Sequence, residues 1–230
     1  MIEEPPILTI KRDFNRPTAD QVAAFQGVPS SVVSDALEGN GALDRAIRHL
    51  AGTPARSVAG PAVTAGCTPS DMLGLSGAMA FLQPGDIIVT TAGGYQGCAI
   101  FGDRYAGMMR NAGVVAAVAD APVRDIDGIS KTELPIWCTG LTPASPFSNG
   151  PGTVGLPISI GGRTVDSGDM IVADKDGVVA VPFARLDEIA ARAAEILGLE
   201  AALDQKVANG LIVPAPIEDW LASDRVRYVK

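Results

Sequence analysis

An α/β domain built on a mixed sheet is what three features of this 230-residue chain point to. Strand-like and helix-like segments alternate between residues 57 and 140. The run VVAAVAD (114–120) shows no polar alternation, as expected of a strand covered on both faces. Apolar residues make up 47% of the chain and charged residues 19%, so there is enough material for one sizeable core. The 26 glycines and 17 prolines are scattered rather than concentrated in one tract, which implies many short elements joined by tight turns.

Thr18-Ala-Asp-Gln21 has the capping-box pattern, so a helix is expected from Thr18 to about Gly27. A second helix, capped by Ser30 or Ser31, stops at Gly39. Residues 57–66 read as a strand bent at Gly60-Pro61. A helix over Ser70–Gln83 follows, then a Pro84-Gly85 turn and the strand 86–92. The glycine-rich loop 93–97 leads into a helix ending at Asn111, with Gly113 as its cap. After the strand 114–120 come a short helix and a strand at 134–140. Residues 153–182 are closely spaced β segments, with turns at Asp166–Asp169 and Asp174–Gly177. An Ala-rich helix over Pro182–Asn209 ends the pattern, before a polar tail. No linker or repeat divides the chain. It reads as one domain over 1–230, with an N-terminal extension at 1–16 and a C-terminal tail at 210–230.

A net charge of −8 with 18 basic residues and no Lys/Arg cluster argues against nucleic acid as a partner. No apolar run is long enough to span a bilayer or to act as a signal peptide, so no membrane partner is expected. Cys67, Cys98 and Cys138 form no metal or disulfide spacing and read as buried thiols in a reducing cytoplasm. His49, the sole histidine, lies in IRHLAG, which has the look of a helix end. Trp137 and Trp220 read as packing residues. The acidic set Asp166, Asp169, Asp174 and Asp176 is better explained by turns than by a calcium site.

Chemistry concentrates between Gly97 and Asp125. An Arg-Asp pair, Arg124-Asp125, stands past the carboxyl end of a strand, the edge at which open α/β sheets bind ligands. A loop opening a helix offers free N–H groups to a carboxylate, and an arginine can clamp the same anion through paired hydrogen bonds. Aspartate is a hard oxygen ligand suited to Mg²⁺ or Mn²⁺. The same two residues could equally form a surface ion pair or cap the next helix. None of the five lysines sits in an apolar strand that would depress its pKa for Schiff-base chemistry.

Seven segments in register, SSVVSDAL (30–37), GPAVTA (60–65), PGDIIV (84–89), GCAIFGD (97–103), PVRDIDGI (122–129), SGDMIVADKDGVVAVP (167–182) and the helix from Glu200 to Gly210, resemble the RraA-like family. That family includes the class II 4-hydroxy-4-methyl-2-oxoglutarate and 4-carboxy-4-hydroxy-2-oxoadipate aldolases. The resemblance implies a swivelling β/β/α domain with a mixed sheet flanked by helices, and a homotrimer or hexamer with active sites between subunits. It implies a divalent cation, Mg²⁺ or Mn²⁺, anchored by Asp125, and a small 2-oxo acid substrate bound by Arg124. Gly102, Asp103, Arg104 and Tyr105 would cradle the substrate carboxylate. Asp103 would approach the metal through water and carry a proton, and Glu200 would come from a neighbouring subunit. The implied reaction is retro-aldol cleavage to pyruvate, with oxaloacetate decarboxylation at the same site. A different role also follows from the resemblance, since the family's founding member is a regulator that binds a ribonuclease. Two departures stand out. Asp120-Ala121-Pro122 replaces the usual Asp-Gly start of the Arg-Asp motif, and the loop after residue 140 lacks an expected lysine.

Overall fold

A computed structural model describes residues 3, 4 and 6–229, the side chain of Ala215 excepted. The described chain forms two compact units, one up to Ala193 and one from Ala194 onward. In the first unit, β1 (Leu8–Ile10), α1 (Ala19–Phe25), α2 (Ser30–Ala36), β2 (Arg48–His49) and β3 (Val58–Gly66) are followed by α3 (Leu73–Ala78), β4 (Ile87–Thr91), α4 (Asp103–Asn111), β5 (Ala116–Ala119), α5 (Ile126–Ser130) and β6 (Ile136–Cys138). The short strands β7 (Gly152–Val154), β8 (Ile158–Ile160), β9 (Arg163–Val165), β10 (Met170–Ala173) and β11 (Val178–Val181) come next. The helix α6 (Leu186–Ala208) then begins.

Strands β3, β4, β5 and β6 run parallel and adjacent, with β7 and β1 extending one edge and β2 the other. The central strand β3 serves two partnerships. Val58–Pro61 pair antiparallel with β10, and Ala62–Gly66 pair parallel with β4. Pro61, which has no N–H to give a ladder, stands at this handover. Gly60 is required there, because a Cβ would lie 2.5 Å from the Gly85 carbonyl oxygen.

The sheet is buried on both faces, in line with its unbroken apolar strands. On one face Val63, Ile88, Ala117 and Ile136 pack with Leu75, Met109 and Ile129 from the helices. On the other, Ile87, Val89, Val118 and Trp137 pack with Ile158, Val165, Ile171 and Val178 from the later strands. The result is a β/β/α stack, the expected mixed α/β architecture. In the second unit, α6 ends and α7 (Ala215–Leu221) follows. Tyr228 donates to the Leu221 carbonyl at 3.1 Å, and the Arg225 guanidinium lies 6.0 Å from the Trp220 ring. No helix among the described residues is long and apolar enough to cross a membrane.

Several local expectations need correction. Thr18 does cap α1 with a complete capping box, but Ser30 lies inside α2 rather than at its cap. Its hydroxyl and amide both donate to Asp174, which ties α2 to the β10–β11 turn. His49 belongs to a strand, because Arg48-His49 pair with Cys138 and Trp137 on β6. The helix expected from Ser70 begins only at Leu73, since Ser70 adopts φ 64° and turns the chain first. The N-terminal extension contains β1, docked parallel to β7. Trp137 is fully buried, whereas Trp220 is half exposed. Cys98 and Cys138 are buried, and Cys67 is partly so.

Asp174 carries a testable electrostatic load. Burial alone would raise its carboxyl, but hydrogen bonds from Ser30 and from the amides of Asp176 and Gly177 outweigh burial and hold it below the usual carboxylate range. A depressed folded-state pKa contributes stability above the unfolded value of about 4, and that stability is lost as pH falls through the folded value. Asp174→Ala should therefore cost about 1–3 kcal/mol at neutral pH. Urea unfolding of variant and wild type at stepped pH should converge below about pH 4. A gap of constant size down to pH 3 would show that ionisation is not its source.

Candidate active site

Three segments that are distant in sequence lie side by side at the carboxyl ends of the parallel strands. Ile100 N–H donates to the Pro122 carbonyl at 2.8 Å, and Arg124 N–H to the Phe101 carbonyl at 3.1 Å. From the third segment, the Gly140 carbonyl accepts from Val123 at 2.9 Å, and the Ala144 carbonyl accepts from Ala99 at 3.0 Å. This backbone stitching forms the floor of a cleft of about 180 Å³. Its walls include Gly102, Asp103, Arg104, Tyr105, Arg124 and Asp125. Six of the seven residues singled out from sequence thus share one cavity. The seventh, Glu200, is exposed on α6 in the second unit.

Gly102 caps α4 without a side chain, and the first intrahelical bond runs from Ala106 N–H to its carbonyl at 3.1 Å. The amides of Asp103, Arg104 and Tyr105 consequently have no acceptor among the described residues. They leave a positive helix end open to an anion. Tyr105 turns its hydroxyl to Ser76 Oγ at 2.8 Å and offers its ring to the cleft.

Asp125 precedes α5 in the left-handed region, at φ 62° and ψ 46°, and its side chain makes no capping hydrogen bond. Asp125 thus stands at the cap position of α5, as the capping alternative has it, but caps through its backbone carbonyl and not through its carboxylate. The ion-pair alternative survives in weak form, with Arg124 Nε 3.4 Å from Asp125 Oδ2 and both side chains partly exposed. Arg124 Nη1 also donates to Ser145 Oγ. Among the described residues no hydrogen bond is donated to the Asp103 or Asp125 carboxylate. Both carboxylates pack on glycines. A Cβ at Gly102 would stand 2.4 Å from Asp125 Oδ2, and one at Gly128 would stand 2.3 Å from Asp103 Oδ2.

No cluster of three or more His, Cys, Asp or Glu suited to a metal occurs among the described residues. The donor chemistry nonetheless fits a hard cation that keeps most of its water. Asp125 and Asp103 supply hard oxygens that accept no hydrogen bond among the described residues, Asp125 being held only in a loose ion pair with Arg124, in a cleft open to solvent. Burial pushes the Cys67 and Cys138 thiols up, so neither is a thiolate nucleophile at neutral pH.

The glycine-rich loop plays a different part from the one expected. Buried residues Cys98–Phe101 separate it from α4, and it wraps the carboxylate of Asp120 instead. That carboxylate accepts from Thr91 Oγ1 at 2.5 Å, Ala92 N–H at 2.8 Å and Gly94 N–H at 3.0 Å. Sequence reasoning missed both this role of Asp120 and the contact from Ser145. An acidic residue ending a strand opposite a glycine-rich loop was the available signal for the first. Nothing local marked the second.

The stack of layers and this cleft define an α/β protein with a polar site at the edge of a parallel sheet. The Aldolase/RraA family model, of the RraA-like type, matches residues 30–180, and the chain belongs to that family. A relative from Halalkalibacterium halodurans, named "Putative 4-hydroxy-4-methyl-2-oxoglutarate aldolase", is 33% identical over 84% of this chain and 91% of its own length. Among solved structures, Streptomyces coelicolor RraAS2, described as an unusual member of the RNase ES inhibitor RraA family, has a TM-score of 0.74 and 27% identity. That match covers 83% of this chain and all of the other. A Pseudomonas syringae protein without an assigned role shares the fold, with a TM-score of 0.77, 23% identity, and 87% and 93% coverage.

Gly128→Ala tests the close approach of α5 to Asp103. The new methyl would also meet Asp103 Cβ at 2.5 Å, a contact no rotamer change relieves. Displacing Asp103 by about 1 Å should lower kcat/KM by roughly tenfold or more while the circular dichroism spectrum is retained. An unchanged kcat/KM would show that this approach does not set the position of Asp103.

Proposed function

We propose that the protein cleaves a 4-hydroxy-2-oxo acid by a retro-aldol reaction, releasing pyruvate and a second carbonyl compound. One observation carries the reading. Two carboxylates without hydrogen-bond donors, a guanidinium and three unpaired helix-terminal amides converge on a single cleft. The aldolase naming of the relatives supports it.

The first-turn amides of α4 would receive the C1 carboxylate, together with the positive helix end. Arg124 would lie beside the C2 oxygen and stabilise the negative charge that develops there as the C3–C4 bond breaks. Asp103 would accept the proton of the C4 hydroxyl, directly or through water, and return a proton to C3. Asp125, with Asp103 through water, would hold Mg²⁺ or Mn²⁺, which supplies Lewis-acid polarisation of the 2-oxo group. No lysine among the described residues lines the cleft, so none of them is a candidate for a Schiff base there. The same arrangement would decarboxylate oxaloacetate, because loss of CO₂ leaves the same charge on C3 and the C2 oxygen.

The proposed assembly is a homotrimer or hexamer in the cytoplasm, with the partner subunit's Glu200 completing the site. On α6, Leu199, Leu203 and Val207 recur at four-residue spacing and are 73%, 50% and 55% exposed, an apolar stripe with the character of a subunit contact. The likeness to RraAS2 favours a second reading, a regulator that binds a ribonuclease.

The deciding measurement is pyruvate release from oxaloacetate and from a panel of 4-hydroxy-2-oxo acids, with Mg²⁺ or Mn²⁺. EDTA and Asp125→Ala should each lower turnover by about 100-fold or more. Turnover that survives both would remove Asp125 and the cation from the mechanism. No turnover, together with inhibition of a ribonuclease, would transfer the assignment to the regulator.

A further inference from the structure

An arginine side chain is long and rich in rotamers, so a guanidinium that is to meet a substrate oxygen needs a partner that holds it still. In this cleft that partner is Ser145, whose hydroxyl accepts from Arg124 Nη1. We propose that Ser145 is a positioning residue for Arg124, and that buried Asp71 positions Ser145 by latching its segment beside the cleft. The consequence for a bound 2-oxo acid rests on the retro-aldol reading; the positioning itself does not.

A neutral acceptor suits this task. A carboxylate at 145 would hold the guanidinium more tightly but neutralise it. A hydroxyl fixes the fork and leaves its positive charge for an oxygen of the substrate. The bond also bears on the divalent cation. Arg124 Nε stands 3.4 Å from Asp125 Oδ2, in an ion pair without a hydrogen bond. A guanidinium released from Ser145 would be free to close on that carboxylate through two parallel bonds. It would then occupy the oxygens that hold the cation in the proposed mechanism. Ser145 thereby keeps the substrate's arginine and the metal's carboxylate apart, although the two are adjacent in sequence.

Ser145 lies in residues 139–151, between β6 and β7, where there is neither helix nor strand. A serine on a free loop could position nothing, but this loop is pegged on both sides. Before Ser145, Thr142 N–H donates to the Val123 carbonyl at 3.1 Å, and the Ala144 carbonyl accepts from Ala99 at 3.0 Å. After it, Phe147 N–H donates to the Ser70 carbonyl at 2.7 Å, and the Phe147 carbonyl accepts from Met72 at 2.9 Å. Asp71 stands between those two partners and is 5% exposed. Its Oδ1 accepts from the Leu73 amide at 2.7 Å. Its Oδ2 accepts from the amides of Asn149 at 2.5 Å and Gly150 at 3.1 Å. One carboxylate therefore joins the start of α3 to the end of the loop, with a separate oxygen for each. Asparagine, with a single carbonyl oxygen, could serve only one of them. Met72 and Pro146, next to this contact in the two segments, both line the cleft.

The test uses the full-length protein in its own assembly with Mg²⁺, and it reads position and binding separately. Nitrogen relaxation of the Arg124 Nε–H group, identified by its loss in Arg124→Lys, reports how firmly the guanidinium is held. Calorimetry with pyruvate reports what the holding achieves. The group should be ordered in the wild type, and in Ser145→Ala its order parameter should fall below about 0.6. Pyruvate should bind that variant about tenfold more weakly. Ser145→Thr, which keeps the hydroxyl, should retain the order and bind pyruvate within about twofold of the wild type. Asp71→Asn should loosen Arg124 in the same way. The double variant Asp71→Asn/Ser145→Ala should bind no more weakly than the weaker single variant, within about twofold. Ser145 is exposed, so its two variants decide the proposal even where Asp71→Asn fails to fold. An Arg124 group as ordered in Ser145→Ala as in the wild type overturns the proposal, as does equal loss in Ser145→Thr and Ser145→Ala. Losses that multiply in the double variant overturn the part given to Asp71. If the order falls as expected but pyruvate binds to none of the proteins, wild type included, the positioning stands and the lyase reading fails.

Discussion

The site turns on one backbone conformation. Asp125 sits at φ 62° and ψ 46°, a left-handed geometry that costs a non-glycine residue about 1 kcal/mol. An aspartate before a helix ordinarily folds its carboxylate back onto the second or third amide of that helix. Here its backbone carbonyl is in place, accepting from Gly128 and Ile129 at 3.0 Å each, while its side chain is turned away from its own helix. The strain thus converts a structural cap into a free carboxylate. Arg124 is fixed one residue earlier by its bond to the Phe101 carbonyl, so a guanidinium and a carboxylate enter the cleft from adjacent positions.

That conformation would achieve little if the neighbouring helix kept its distance. Gly102 and Gly128 remove the distance reciprocally. The glycine before Asp103 receives Asp125, and the glycine after Asp125 receives Asp103. Both carboxylates line the same cleft with no amide or hydroxyl donated to either among the described residues, whereas a carboxylate with a purely structural role is ordinarily satisfied by the protein's own donors.

Much of this architecture could be read from residues alone, and the exceptions have physical reasons. The strands at 86–92 and 114–120 were legible because burial on both faces leaves an uninterrupted apolar run. The turn Asp174–Gly177 was legible from its residues, and it does connect the antiparallel β10 and β11. His49 misled because two residues of an edge strand have no period of their own; the pairing with β6 decides their conformation. The helix expected from Ser70 was shortened by Asp71, whose carboxylate takes the Leu73 amide at 2.7 Å and resets the start. In the site, the Arg124-Asp125 pair was marked by chemistry and spacing, and Gly102–Tyr105 at the start of α4 only by the family resemblance. Ser145 was not, because it reaches Arg124 through a loop whose path depends on bonds to residues 70–72, 99 and 123.

The clearest separation between structure and chemistry lies within a single residue type. Asp71, Asp86, Asp120 and Asp174 each accept hydrogen bonds from backbone amides or side chains of other segments, and three of the four are almost wholly buried. Each replaces water with fixed donors and thereby anchors a loop or a strand end. Asp103 and Asp125 receive no such donor and keep their contact with solvent. A carboxylate that satisfies the protein's own amides has no capacity left for a substrate or an ion. One left unsatisfied beside an arginine and an open helix terminus retains that capacity. Sequence lists all six alike, and the folded chain sorts them by where the donors end up. Buried Asp71 then links the two groups, because its bonds from the Asn149 and Gly150 amides anchor the segment whose Pro146 lines the same cleft as Asp103 and Asp125.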